Sequence, residues 1–225
     1  MLLIQTPDRT PAMSADTMTT GMRPRYPRLL LASRSPRRRW LLSEAGIEHE
    51  ACHPGFDDSA LVPTGVTAAE WVTALAHLKA AAGVELARGE DMPRLVLGAD
   101  TTCVQGTEFL GTPATPEEAE RMLRGFVGAE HEVVTGVALI DAVTGRRWLF
   151  ADSAMVRWGE VSEEQIRAYV ASGEWQGKAG AYNLRERLAA GWKIEFDGDP
   201  TTIMGLPMRV LARELPRIQA ELEVA

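Results

Sequence analysis

The sequence predicts a mixed α/β fold on one sheet, with helices against it and an antiparallel second half. Three observations predict it. A strand-like run at Leu29, Leu30, Leu31 and Ala32 leads directly into a capped helix. The short continuous apolar run at 95–99 has the character of a strand covered on both faces. Two long β-rich runs, 133–140 and 148–158, flank the turn at 141–145 and read as a hairpin.

Taken in order, residues 1–27 contain no apolar run longer than four residues and read as a mobile N-terminal extension, not a secretory signal. Met13, Met18 and Met22 lie within it, which leaves room for a start further in than Met1. After the first strand, Ser35 is an N-cap, Pro36 the first helical residue, Trp40, Leu41 and Leu42 the apolar face, and Gly46 the C-terminal stop. A second helix starts at Thr67, three residues before Glu70, the spacing of a capping box. Its apolar stripe is expected at Trp71, Leu75, Leu78 and Ala82. Thr115, Pro116 and Glu118 open a third helix running to about Arg124, and Ser162 with Gln165 opens a fourth, to about Ser172. Residues 173–191 hold many glycines and small residues, and are followed by a strand at 192–196 and a last helix from about 207 to 222. No linker is rich enough in Pro, Gly or Ser to force a division, so residues 28–225 are expected to form one domain of two lobes.

Composition narrows the function. With 24 basic and 31 acidic residues the net charge is −7, which argues against a nucleic-acid-coating protein while leaving room for a local basic pocket. No apolar stretch reaches the roughly 18 residues of a membrane span. Cys52 and Cys103 lie far apart, and His49, His53, His77 and His131 have no metal-ligand spacing. This usage predicts a cytoplasmic protein without a disulfide framework.

Four places could carry chemistry. In 32–39, a strand enters a helix whose first turn offers free N–H groups and the positive end of the dipole. Ser33 and Ser35 add hydroxyls, and Arg34, Arg37 and Arg38 add planar donors that match phosphate oxygens. Cations there oppose the dipole, so three of them point to an anion; the bland alternative is a solvated basic turn. Asp100 ends the apolar strand, where α/β sheets place ligands, and is a metal ligand, a general base or a turn cap. Asp57 and Asp58 form an acidic loop pair, and Lys79 lies beside the apolar stripe of its helix, either snorkelling or aimed at phosphate. The run 173–180 fails as a P-loop: three residues separate Gly173 from Gly177 and Ala179 follows Lys178. Lys178 remains a candidate phosphate contact, and a kinase-like phosphotransferase is disfavoured.

Strung together, these pieces resemble the Maf family (septum formation inhibitor Maf, nucleoside triphosphate pyrophosphatases). The matching strings are LLLASRSPRR at 29–38, LAHLKA at 75–80, LGADT at 97–101, HEVVTGV at 131–137, GE at 173–174, KAGAY at 178–182 and GLP at 205–207. The resemblance implies an elongated fold with a central cleft, similar in outline to inosine triphosphate pyrophosphatases. It implies hydrolysis of a nucleoside triphosphate between its α and β phosphates, a Mg²⁺ or Mn²⁺ cofactor and a homodimer. By position, Ser33, Arg37 and Arg38 would contact the nucleotide with Arg34 and Ser35 beside them, Lys79 and Lys178 would bind phosphate, Asp58 and Asp100 would hold the metal, and Asp100 would be the base.

Three departures stand out. Asp58 replaces the family's usual Glu, Thr112 in Gly111-Thr112-Pro113 replaces its Lys, and Arg185 replaces a Gln after the Lys-Ala-Gly-Ala-Tyr string. Arg185 is expected to restore at the substrate the charge lost at Thr112, the alternative being that both lie at the cleft edge. The Ser-Pro-Arg-Arg form resembles the branch acting on dTTP and UTP rather than 7-methyl-GTP. The leading expectation is a house-cleaning pyrophosphatase of pyrimidine, including modified, triphosphates; a nucleotide-binding regulator of cell division with little turnover is the alternative.

Overall fold

The structure is a computed structural model and describes residues 26–58, 60–89 and 91–224. The expected extension over 1–27 lies almost wholly outside the described residues. A seven-stranded mixed sheet organises the chain in the order β2-β1-β3-β5-β6-β7, with β4 on the far part of β3. Here β1 is Leu29–Ala32, β2 His49–Cys52, β3 Leu95–Gln105, β4 Glu108–Leu110, β5 Glu130–Asp141, β6 Arg147–Trp158 and β7 Ile194–Asp197. β1 runs parallel to β2 and β3, and every other pairing is antiparallel. The mixed α/β expectation is met.

The caps sit where side-chain chemistry puts them. Helix α1, Pro36–Glu44, starts at Ser35, and Gly46 just past its end is left-handed at φ 65°. Helix α2, Ala68–Val84, opens with the complete Thr67–Glu70 box. Helix α3, Pro116–Phe126, is capped by Thr115, and helix α4, Glu163–Ser172, by the Ser162–Gln165 box, ending at left-handed Gly173. The hairpin is also as expected, with Ile140 facing Arg147. Buried Asp141 closes its turn, accepting two 2.6 Å bonds from Arg94 and others from Thr144 and Val143.

Several expectations need correction. The 173–191 stretch, described from sequence only by its small residues, contains a 3₁₀ turn, Ala179–Ala181, and helix α5, Leu184–Ala189, capped by Asn183. The strand expected at 192–196 begins at Ile194, because Trp192 is spent in an aromatic cluster with Trp158 and Tyr169. Helix α6, Pro200–Ile203, precedes the last helix α7, Met208–Val224. Most instructive is α2, which buries Val72, Leu75, Ala76, Ala80 and Gly83, while Leu78 is exposed. Its face is set by close approach rather than by bulk. A Cβ on Gly98 would stand 2.2 Å from the Ala76 carbonyl oxygen, and one on Gly136 would stand 2.4 Å from the Val72 carbonyl carbon. With glycines on the sheet and alanines on the helix, the backbones nearly touch, and Leu78 is left outside the contact.

The core forms three clusters. α2 covers one face of β1, β3 and β5 through Leu30, Ala32, Val96 and Ala138. α1 and α7 cover the other through Leu31, Leu97, Leu139 and Leu211. Beyond them, the far ends of β3, β5 and β6 meet α3 and α4 around Phe126, Val133, Trp158 and Tyr182. No helix among the described residues is long and apolar enough to cross a membrane.

Candidate active site

The site gathers where β1 stops and β3 continues. Beyond Leu97, β3 loses its parallel neighbour, so groups from both faces of the sheet converge at that edge. On the α2 side, successive even positions of β3 face the helix, and Asp100 follows Gly98 on that face. Because Gly98 and Gly136 draw α2 inward, Lys79 is carried to the sheet edge rather than out to water. Its Nζ lies 2.5 Å from Asp100 Oδ1 and 2.6 Å from Asp58 Oδ2. Lys79 and Asp100 are largely buried, with side chains 18% and 13% exposed, and Asp58 stands at the rim at 37%. The snorkelling alternative for Lys79 is therefore set aside.

From the other face comes the β1–α1 turn. Ser33 Oγ accepts hydrogen bonds from the Ser35 amide and from Arg38 Nη1, both at 3.2 Å, and Ser35 Oγ caps the helix through the Arg38 amide at 3.4 Å. Arg38 reaches further: Nε donates to the Gly205 carbonyl at 2.7 Å and Nη2 to Thr101 Oγ1 at 3.3 Å. Burial pushes its guanidinium down to about 10 against the opposing pull of Asp100, so it stays charged at neutral pH. Arg37 donates through Nη2 to the Gly177 carbonyl at 3.0 Å; burial lowers its guanidinium, with Glu186 opposing.

Lys178, next to Gly177, is buried and ion-paired with Glu186 of α5. Its turn is held tightly: Gly180 donates to the Gly111 carbonyl at 3.0 Å, Tyr169 Oη donates to the Ala181 carbonyl at 3.0 Å, and Ala181 sits at φ 66°. Such a non-glycine conformation persists only where its surroundings enforce it.

The structure thus joins Ser33, Ser35, Arg37 and Arg38 to the 177–178 turn and to Gly205, and separately joins Asp58, Lys79 and Asp100. Three candidates stand apart. Arg34 is exposed and without a hydrogen bond or ion pair among the described residues, and Thr112 is exposed beside the Gly111–Gly180 contact. Arg185, also exposed, lies over the Trp40 ring with its guanidinium carbon 4.6 Å from the centroid. Sequence reasoning missed Glu186, eight residues after Lys178, and placed Trp40 on the apolar face of its helix, whereas Trp40 is exposed under Arg185. Cys103, His49 and His131 stay out of the site, and no group of three or more His, Cys, Asp or Glu side chains that could hold a metal occurs among the described residues. Asp58 and Asp100 are a pair of hard oxygen donors already aimed at one cation, a set that suits Mg²⁺ or Mn²⁺ shared with substrate phosphates.

A family model described as Maf-like protein matches residues 28–218. The chain belongs to the Maf family. Among its relatives, a dTTP/UTP pyrophosphatase from Pelotomaculum thermopropionicum is 42% identical over 84% of this chain and 95% of its own. One from Hahella chejuensis is 41% identical over 80% and 87%. A nucleoside triphosphate pyrophosphatase from Synechococcus elongatus is 39% identical over 86% and 97%. Among solved structures, a nucleoside-triphosphatase (dITP/XTP pyrophosphatase) from Mycobacterium abscessus is 13% identical over 58% of this chain and 72% of its own, with TM-score 0.35, too partial a likeness to argue from. The Maf strings of the sequence map onto the β1–α1 turn, Lys79, Asp100 and the Lys178 turn.

Proposed function

We propose that this Maf protein is a nucleoside triphosphate pyrophosphatase that hydrolyses the α–β phosphate bond of pyrimidine triphosphates, releasing the monophosphate and pyrophosphate. The observation that carries the reading is the Lys79 ammonium held between the carboxylates of Asp58 and Asp100, beside an arginine-bearing helix start. The relatives' names agree with the substrate class.

In this reading the triphosphate enters at the β1–α1 turn, where the first-turn amides and the Ser33 and Ser35 hydroxyls meet phosphate oxygens. Arg37 exchanges the Gly177 carbonyl for phosphate. Arg38, anchored to Ser33, Thr101 and Gly205, keeps the turn in place and supplies positive charge. Lys178 adds a cation from the opposite side. Asp100 accepts the proton of the attacking water as its oxygen bonds to the α-phosphorus. The bond from that phosphorus to the α–β bridging oxygen breaks, and pyrophosphate leaves with the electron pair. Lys79 neutralises charge on the transferred and departing phosphates. A Mg²⁺ or Mn²⁺ ion held by Asp58 and Asp100 would supply charge stabilisation to the phosphates when bound. We place the enzyme in the cytoplasm, as a homodimer.

The test is pyrophosphate release from dTTP, UTP, CTP, their 5-methyl and pseudouridine relatives, GTP and 7-methyl-GTP, with Mg²⁺, Mn²⁺ or chelator. Metal-dependent release from a pyrimidine subset is expected. Silence across the panel from folded, nucleotide-binding protein would overturn the reading in favour of a nucleotide-binding regulator.

A further inference from the structure

Lys79 does something here that a plain phosphate ligand would not. Its ammonium is shared between Asp58 Oδ2 at 2.6 Å and Asp100 Oδ1 at 2.5 Å, and these carboxylates are the donors a divalent ion would use. With no phosphate to draw it away, the lysine rests on them. α2 is pressed onto the sheet at Gly98 and Gly136, so the stem of Lys79 emerges beside Asp100. Asp58, on the loop side, is the more exposed of the two carboxylates.

Two cations aimed at the same oxygens compete. We propose that Lys79 is an internal competitor for the divalent ion, holding Asp58 and Asp100 until a triphosphate takes its ammonium and frees both carboxylates. This inference rests on the metal-dependent reading above. It adds an order of events: metal affinity is low in the nucleotide-free protein and rises when phosphate engages Lys79, so the site is fully charged only when loaded with substrate. The other cations do not fill this role, since Arg38 is anchored to Ser33, Thr101 and Gly205, and Lys178 to Glu186.

The experiment measures Mn²⁺ binding to the full chain by electron paramagnetic resonance, without nucleotide and with an α,β-methylene triphosphate analogue. Wild type is compared with Lys79→Met and Lys79→Arg, each checked for a cooperative melt; Lys79→Gln replaces the methionine variant should that not fold. Without nucleotide, Lys79→Met is expected to bind Mn²⁺ at least about tenfold tighter than wild type, the scale of one charge-assisted hydrogen bond released. Lys79→Arg should bind as weakly as wild type, and the advantage of the methionine variant should shrink when the analogue is present. Equal or weaker binding by Lys79→Met without nucleotide overturns the inference while leaving the metal reading intact. No protein-bound Mn²⁺ in any chain, with or without the analogue, removes the metal reading and the inference with it.

Discussion

Asp100 has little room for error, because its neighbours hold it from two directions: Gly136 opposite it in the β3–β5 ladder, and Lys79 across from its carboxylate. Asp100→Asn is nearly the same shape but cannot take the proton of water. Turnover should fall about 10²- to 10⁴-fold with the melting temperature little changed. A fall under tenfold in steady-state kinetics would remove Asp100 as the base. Arg185 is a different case. Its guanidinium stacks on Trp40, midway along α1, rather than on any of the other candidate site residues. If it supplies the charge that Thr112 lacks, Arg185→Ala should lower kcat/KM on the best substrate by more than twofold; a smaller change leaves it as a packing residue on Trp40. At this scale the sequence was legible where short strings bring candidate groups together, Ser33 with Arg38 and Lys79 with Asp100. It was illegible where the partner lies in an irregular stretch: nothing in the spacing of Lys178 and Glu186 shows that an intervening turn with left-handed Gly180 and Ala181 brings them together.

The elements were legible through their ends more than through their faces. Ser35, Thr67, Thr115 and Ser162 each bond to a first-turn amide as a cap should, because that choice is local. The buried face of α2 was misread because a bulk-based stripe ignores how near two backbones can come when glycine and alanine meet. Gly98→Ala tests the point. The added methyl would strike the backbone of α2 at Ala76 and Ala80, where no side chain can yield. The variant should lose about 2 kcal/mol or more in urea unfolding, at the upper end of ordinary overpacking. Activity should fall beyond that loss, since a displaced α2 carries Lys79 away from Asp100. Unchanged stability would mean that the helix sits further from the sheet. The short strands β2 and β4 and helices α5 and α6 left little trace in the sequence, being too short for a period to declare itself.

For the whole molecule, acid should act early. His131 is buried, stacked on Phe126 with ring centroids 3.9 Å apart and its Nε2 2.9 Å from Tyr182 Oη. Burial pushes it down from 6.5 to about 3, so the folded protein keeps it neutral while the unfolded chain takes up a proton. Between those values the unfolded state binds more protons, and stability falls as pH falls, by up to about 1.4 kcal/mol per pH unit. Asp141, held well below the usual carboxylate range mainly by Arg94, adds loss in the same direction only below about pH 4. Urea midpoints from pH 7 to 4.5 should therefore slope downward in wild type and flatten in His131→Phe; parallel slopes would show that His131 is not the cause.

The three long strands carry one more consequence. β3, β5 and β6 each run from the clusters beside α1, α2 and α7 into the cluster beside α3 and α4, through Leu97 and Cys103, Leu139 and Val133, and Phe150 and Val156. The two ends are therefore interlaced rather than strung in series. The exposed turn around Val143 could be severed without parting them, because the fragments stay zipped from Ile140 opposite Arg147 to Glu130 opposite Arg157. A chain nicked there should elute as one particle under native conditions and come apart only in denaturant.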